Sequence, residues 1–266
     1  MQPIDICLIQ AATHWHDAAA NREMFSNYID QLTHPVDLIV LPEMWSTGFT
    51  MASAEVAETM SGDSVAWMKA TAAHTGSVIC GSLVIQDADA YFNRFCWVTP
   101  AGDVTTYDKR HLFRMAGEHQ HYAVGGEKIT VELKGWRICP MVCYDLRFPV
   151  WFRNQHLGQG EMAYDLLLAV ACWPAPRRLA WNSLLRARAI ENQVFSVGLN
   201  LVGVDGNGVP YSGGTAVYGP TGEAQVELFD DAVVHIERLE GDALAALRND
   251  FPVWQDADAF SINSEM

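Results

Sequence analysis

Short apolar runs that stop abruptly at a chemically active side chain constrain this chain more than any other feature. Leu38-Ile39-Val40-Leu41-Pro42 ends at Glu43, Trp136-Arg137-Ile138-Cys139-Pro140-Met141-Val142 ends at Cys143, and Leu166-Leu167-Leu168-Ala169-Val170-Ala171 ends at Cys172-Trp173. Runs this short and this continuously apolar read as strands buried on both faces rather than laid against solvent on one. They alternate with longer stretches of helical periodicity at 18–32, 64–75 and 176–192, the last opened by Pro176-Arg177-Arg178. That alternation predicts an α/β layered arrangement. Further strands are predicted at 5–10, 77–85, 92–98 and 195–200, and antiparallel ones around the turns Asp205-Gly206-Asn207-Gly208 and Gly219-Pro220-Thr221-Gly222, as far as Ile236. On the first helix, Ala19, Met24, Phe25, Tyr28 and Leu32 are the expected inner side.

No linker or repeat interrupts this order, so one unit over 1–266 is expected, with 250–266 a tail. At 266 residues and 50% hydrophobic side chains, the chain can bury one large core. The formal charge of −15 removes the basic footprint that nucleic acid or an anionic membrane surface requires as a partner. A small anionic ligand then needs a local cation. The longest apolar stretch, 166–175, is too short to span a bilayer, and Asp5 comes early with no basic region before an apolar one. The cytoplasm is the expected compartment. The cysteines at 7, 80, 96, 139, 143 and 172 lie mostly in apolar runs without a CxxC pair, which reads as reduced thiols rather than a disulfide or zinc framework.

Cys143, at the mouth of a strand and followed by Tyr144-Asp145-Leu146-Arg147-Phe148-Pro149, has the setting of a nucleophile. A thiol held there is useful if a base removes its proton and a cation stabilises the charge that develops. Glu43 offers the base, and Lys109, within Thr106-Tyr107-Asp108-Lys109-Arg110-His111-Leu112-Phe113, offers the cation. Alone, each has a bland competing reading: an inert buried cysteine, a strand-end carboxylate, a solvated lysine. Their joint occurrence suggests a Glu-Lys-Cys triad.

The chain resembles the nitrilase superfamily of carbon-nitrogen hydrolases, and within it the bacterial omega-amidases that are similar to mammalian Nit2. The resemblance rests on Leu41-Pro42-Glu43, the segment 107–113, the segment 142–149, Ala187-Arg188-Ala189-Ile190-Glu191-Asn192-Gln193, Gly213-Gly214-Thr215 and Gly219-Pro220-Thr221-Gly222, in that order over nearly the whole chain. It implies a four-layer αββα sandwich. It also implies roles: Glu43 as base and later acid, Cys143 as nucleophile, and Lys109 with the backbone N–H of Tyr144 as the oxyanion site. A second glutamate that orients the lysine is expected at Glu118, with Glu127 the substitute and a solvated loop carboxylate the competing reading. No metal or other cofactor is expected. His111, His119 and His121 invite a metal reading, but nothing in their spacing sets a metal geometry. The segment 187–193 is expected to be structural.

Arg147 follows the nucleophile closely enough to grip a substrate carboxylate, as similar enzymes do, and the competing reading is an internal salt bridge with Asp145 or Glu191. Trp173 is either an apolar wall of the site or a buried core residue. Asn200-Leu201-Val202-Gly203 and Gly214-Thr215 depart from the family's usual residues away from the triad, which leaves the chemistry intact and the fine substrate preference open. Tyr144 after the cysteine fits amidases better than nitrilases. The resemblance thus implies an omega-amidase that converts 2-oxoglutaramate or 2-oxosuccinamate to the dicarboxylic oxo acid and ammonia. An amidase for a larger carboxylated amide such as deaminated glutathione is the nearest alternative, and a non-catalytic binding protein on the same scaffold is a further one. Similar proteins are homodimers, and the tail from Phe251 to Phe260 is either a partner contact or docked on its own domain.

Overall fold

In the computed structural model, which describes residues 1–158 and 161–262, the chain forms two stacked sheets with helices on their outer faces. The first half runs β1 (Ile4–Gln10), α1 (Ala18–Asp30), β2 (Leu38–Val40), the one-turn α2 (Ser53–Val56), α3 (Asp63–Thr75), β3 (Val78–Asp87), β4 (Ala90–Val98) and β5 (Val104–Asp108). The second half runs β6 (Val131–Leu133), β7 (Trp136–Val142), the short ribbon β8 (His156–Gly158) and β9 (Glu161–Met162), β10 (Leu166–Ala171), α4 (Arg178–Asn192) and β11 (Phe195–Asn200). It closes with β12 (Val202–Val204), β13 (Pro210–Ser212), β14 (Ala216–Tyr218), β15 (Ala224–Glu227), β16 (Val233–Leu239) and α5 (Gly241–Asp250).

One six-stranded sheet has the order β16-β1-β2-β3-β4-β5 and the other β15-β14-β11-β10-β7-β6. Each is parallel at its centre, β1-β2-β3 and β7-β10-β11, and antiparallel at its flanks. Side-chain alternation explains the stacking. Ile4, Ile6 and Leu8 of β1, with Leu38, Val40, Val78, Cys80 and Phe95, face the second sheet across one buried core. Cys7 and Ile9, with Ile39, Leu41, Ile79 and Cys96, face Phe25 and Ile29 of α1 and Val65, Met68 and Ala72 of α3 on the other side. Trp181, Leu185 and Ala189 of α4 close the outer side of the second sheet. The result is the expected α/β four-layer αββα sandwich. Burying one large apolar side chain in such a core stabilises it by roughly 1.5–3 kcal/mol.

Gly198 lets α4 lie this close to β11, because a Cβ there would stand 2.4 Å from a Leu185 methyl.

Several boundaries differ from expectation. α1 buries Asn21, Phe25 and Ile29, whereas Ala19 is exposed and Met24, Tyr28 and Leu32 are only partly buried. Asn21 is the reason for the rotation: its amide donates to the carbonyls of His14 and Ser46 and accepts from His14 N–H, so a polar residue is satisfied on the inner face. α4 begins at Arg178 rather than 176, after a 3-10 turn over Ala175–Arg177, because the backbone of Arg177, at φ −111° and ψ 11°, departs from the α-helical region. Sequence periodicity did not single out β5 or α5.

Candidate active site

The chemically active side chains gather where the parallel strands end, the usual ligand position in open α/β sheets. Glu43 follows β2, Cys143 follows β7, Cys172 and Trp173 follow β10, Asn200 ends β11, and Lys109 follows β5, which runs in the same sense as β2. Two of these turns hold strained backbone: Met44, next to Glu43, has φ of 43° and Cys143 itself has φ of 48°. A left-handed conformation at a non-glycine residue persists only where the surroundings over-determine it. Ser82 Oγ accepts from Met44 N–H at 2.9 Å and supplies part of that constraint on the first turn.

Glu43, Lys109 and Glu118 are fully buried together. Lys109 Nζ donates to Glu43 Oε1 at 2.8 Å and to the two Glu118 oxygens at 2.9 and 3.0 Å. Asn93 Nδ2 reaches the same two carboxylates, Glu43 Oε1 at 2.7 Å and Glu118 Oε1 at 3.3 Å, while its backbone carbonyl accepts from Lys109 N–H at 3.0 Å. The other Glu43 oxygen accepts from the backbone N–H of Cys172 at 2.8 Å. Phe49 covers the ammonium, with its ring centre 5.4 Å from Nζ. Gly125 allows the loop after Glu118 to run against this strand end, because a Cβ there would meet the Asp108 carbonyl oxygen at 1.9 Å.

Burial pulls Lys109 toward the neutral amine, but Glu118 and then Glu43 outweigh it and hold its pKa well above the ordinary lysine value. Burial raises the Glu118 carboxyl, with Lys109 opposing and Glu43 adding to the rise. Burial also pushes the Cys143 thiol well above its ordinary range; the Glu43 charge adds to this, the Lys109 ammonium opposes it, and a hydrogen bond to Glu43 favours the thiol further. The site therefore holds a neutral thiol beside a base and a fixed cation.

The turn that carries Cys143 is pinned by the buried Asp145. Its carboxylate accepts from Val142 N–H at 3.1 Å, His111 N–H at 2.9 Å and the Tyr107 hydroxyl at 2.8 Å, and lies 2.8 Å from His111 Nδ1. Arg188 donates to the Leu146 carbonyl at 2.5 Å while pairing with Glu191 at 2.8 Å. The segment 187–193 thus clamps the turn from α4, the structural task expected of it.

Above Cys143 opens a pocket walled by Phe49, Phe113, Tyr144, Arg147, Trp173 and Arg177. Arg147 lies over the Trp173 ring at 4.8 Å from its centre. Among the described residues it forms no ion pair, because Asp145 is occupied as above and Glu191 pairs with Arg188. Trp173 is both wall and core: only 3% exposed, it donates its indole N–H to the Arg177 carbonyl at 2.9 Å. Asn200 fixes its backbone, accepting from Trp173 N–H at 2.7 Å and donating to the Trp173 carbonyl at 3.0 Å.

The predicted residues Glu43, Lys109, Cys143, Glu118, Tyr144, Arg147 and Trp173 therefore converge on one place. Glu127 is exposed, as are His119 and His121, and no group of metal-ligating side chains is found among the described residues. Sequence reasoning missed Asn93, Phe49, Phe113 and Arg177. Asn93 had a usable signal, a lone amide inside the apolar run Tyr91-Phe92-Asn93-Arg94-Phe95-Cys96-Trp97; the others had none.

The family model for carbon-nitrogen hydrolases matches residues 6–236. The chain is 46% identical over 263 residues to the omega-amidase YafV of Escherichia coli K12, covering 98% of this chain and 100% of that one. It is 31% identical over 232 residues to the 2-oxoglutaramate amidase of Bacillus subtilis, covering 86% and 88%. The crystal structure of XC1258 from Xanthomonas campestris, a CN-hydrolase superfamily protein with an arsenic adduct in its active site, superposes with a TM-score of 0.97 at 44% identity and covers 99% of this chain and 100% of that one.

Proposed function

The chain belongs to the carbon-nitrogen hydrolase family, and from that premise we propose that it is an omega-amidase whose working residues are Glu43, Lys109, Cys143 and Glu118. The observation that carries the reading is the buried ammonium of Lys109 held between Glu43 and Glu118 beside the Cys143 thiol. An amide is a poor electrophile with a poor leaving group, so its hydrolysis needs a strong nucleophile, an oxyanion binder and a proton donor in one place. The relatives that act as an omega-amidase and a 2-oxoglutaramate amidase support the same reaction class.

The steps follow from the groups present. Glu43 takes the proton from Cys143 as sulfur bonds to the amide carbon, and the former carbonyl oxygen becomes an oxyanion met by Lys109 Nζ and the Tyr144 N–H. Collapse breaks the carbon–nitrogen bond, Glu43 returns its proton to nitrogen, and ammonia leaves a thioester on Cys143. Glu43 then draws a proton from a water as it attacks the thioester; collapse releases the acid and the thiol. Glu118 holds Lys109 in place and supplies the second negative charge that keeps it an ammonium. Arg147, stacked on Trp173, takes the distal carboxylate of a 2-oxo-acid amide such as 2-oxoglutaramate or 2-oxosuccinamate.

The test is ammonia release from 2-oxoglutaramate, 2-oxosuccinamate, glutamine and deaminated glutathione by the wild-type and Cys143→Ala proteins. Activity on the two small oxo-acid amides, lost in the variant, is expected. Cys143-dependent activity on deaminated glutathione alone would keep the mechanism and overturn the substrate.

A cytoplasmic homodimer is part of the same proposal. Among the described residues the tail contacts its own domain through Trp254, stacked on His156 at 4.0 Å, and through the Phe251 carbonyl, which accepts from Gln193 Nε2, while the Phe251 and Phe260 side chains are exposed. Residues 263–266 of the tail lie outside the described residues. Light scattering of a chain ended after Asn249 tests the tail: an unchanged dimer mass would remove it from the interface.

A further inference from the structure

The pocket above Cys143 carries a second cation that the proposed chemistry does not use. Arg177 sits in the turn between β10 and α4, with its guanidinium carbon 5.5 Å from the centre of the Phe113 ring. Its Nη2 donates to the Met115 sulfur at 2.9 Å. A thioether is a weak acceptor, and among the described residues Arg177 forms no ion pair. A guanidinium carries five N–H donors in a planar fork suited to a carboxylate. Arg177 shares the pocket lining with Arg147, which likewise lacks a carboxylate partner among the described residues. In a chain of net charge −15, two unpaired guanidinium groups at one pocket mouth form a local anion site that the rest of the surface opposes.

We propose that Arg177 is a specificity-determining residue, which joins Arg147 in holding the carboxylate and adjacent oxo oxygen of the substrate and repels the ammonium of amino-acid amides. The inference rests on the omega-amidase reading and deepens it. One guanidinium accounts for affinity to any carboxylate, and glutamine carries a carboxylate as well. Two guanidinium groups converging on the same end of the ligand favour a 2-oxo acid, whose carboxylate and carbonyl oxygens both accept. The same pair disfavours a 2-amino acid, which sets a positive charge against them. Discrimination of this kind needs a repulsive element as well as an attractive one.

The experiment compares kcat/KM for 2-oxoglutaramate, glutamine and a short uncharged aliphatic amide in the wild type, Arg177→Met, Arg177→Lys and Met115→Leu. The loss in Arg177→Met is expected to be about tenfold greater for 2-oxoglutaramate than for the uncharged amide, carried mainly by KM, the size of a lost charge-assisted hydrogen bond. Arg177→Lys should recover part of it, and the preference for 2-oxoglutaramate over glutamine should narrow in Arg177→Met. Met115→Leu, which removes only the thioether, should keep the wild-type ratio. Equal losses on charged and uncharged amides, or a Met115→Leu ratio that falls with Arg177→Met, would reduce Arg177 to a loop anchor and overturn the proposal. A wild type that hydrolyses only uncharged amides would instead sink the omega-amidase reading together with it.

Discussion

The Tyr107 hydroxyl donates to Asp145 Oδ2 at 2.8 Å and thereby ties the strand that leads to Lys109, in one sheet, to the turn that carries Cys143, in the other. The two sheets are joined mainly by side-chain packing, which is non-directional. This buried bond adds a directional link between the strand before Lys109 and the Cys143 turn. Asp145 also holds Val142 and His111 backbone N–H groups, so one carboxylate references the nucleophile turn to both sheets.

Asp145→Asn should therefore damage stability and activity together. An amide replaces one acceptor oxygen by a donor, leaving buried N–H groups without a partner, at about 1–3 kcal/mol for each group left unsatisfied. The check is denaturant unfolding alongside turnover; a variant with wild-type midpoint and rate would remove Asp145 from this role.

Lys109→Met should leave Glu43 and Glu118 buried against each other without the cation between them. Breaking a buried pair by removing one partner costs about 3–5 kcal/mol, and turnover should vanish. Adding Glu118→Gln should restore much of the stability, because it removes one of the facing charges, yet no activity. Recovery of turnover in the double variant would contradict the assignment of Lys109 to the oxyanion.

Asn93→Leu should lower kcat while leaving KM near its wild-type value, since Asn93 touches the two carboxylates and not the pocket. A loss of about 10- to 100-fold corresponds to one hydrogen bond to a charged group. A loss confined to KM would place Asn93 elsewhere in the chemistry. Asn93→Asp, which adds a third buried carboxylate, should be the more harmful change.

The Cys143 thiol should not titrate near neutrality. Its pKa is raised well above the ordinary 9.0, by burial first and the Glu43 charge next, so the thiol form prevails below that value and thiolate appears only as pH rises through the shifted one. Alkylation by a neutral reagent should accordingly keep rising with pH and show no plateau in the neutral range. In Glu43→Gln one raising cause is gone, so the rise should begin at lower pH. A plateau near neutral pH in the wild type would mean a preformed thiolate and would defeat the concerted proton transfer.

Much of the site was legible before any coordinates because strand-end chemistry is local. Glu43 and Cys143 each terminate an apolar run, and a run of that kind can be recognised from its own residues. Lys109 was legible from its aromatic and apolar setting, whereas Glu118 was legible only through a family pattern, since nothing in the chain near residue 118 says which carboxylate turns inward. Glu127 and Glu118 differ in burial only because Glu118 folds back to accept from Phe113 N–H and Lys109. Asn93 and Arg177 escaped notice because each contacts residues far along the chain; a lone amide in an apolar run marks Asn93 as unusual without naming its partners, and no run marks Arg177.

By itself, the sequence determined the layered α/β class, the strands that end in Glu43 and Cys143, the acidic balance that makes a local cation necessary, and the family. Those properties depend on composition, short-range periodicity and motif order, all of which are written along the chain. Only the tertiary structure decided that Arg147 faces the pocket instead of pairing with Asp145 or Glu191, that Asn93 spans both carboxylates, and that Arg177 lines the same pocket as Arg147 and Cys143. Those outcomes depend on which of several possible partners reaches a side chain first in space, and two packed sheets with their fixed separation settle that competition.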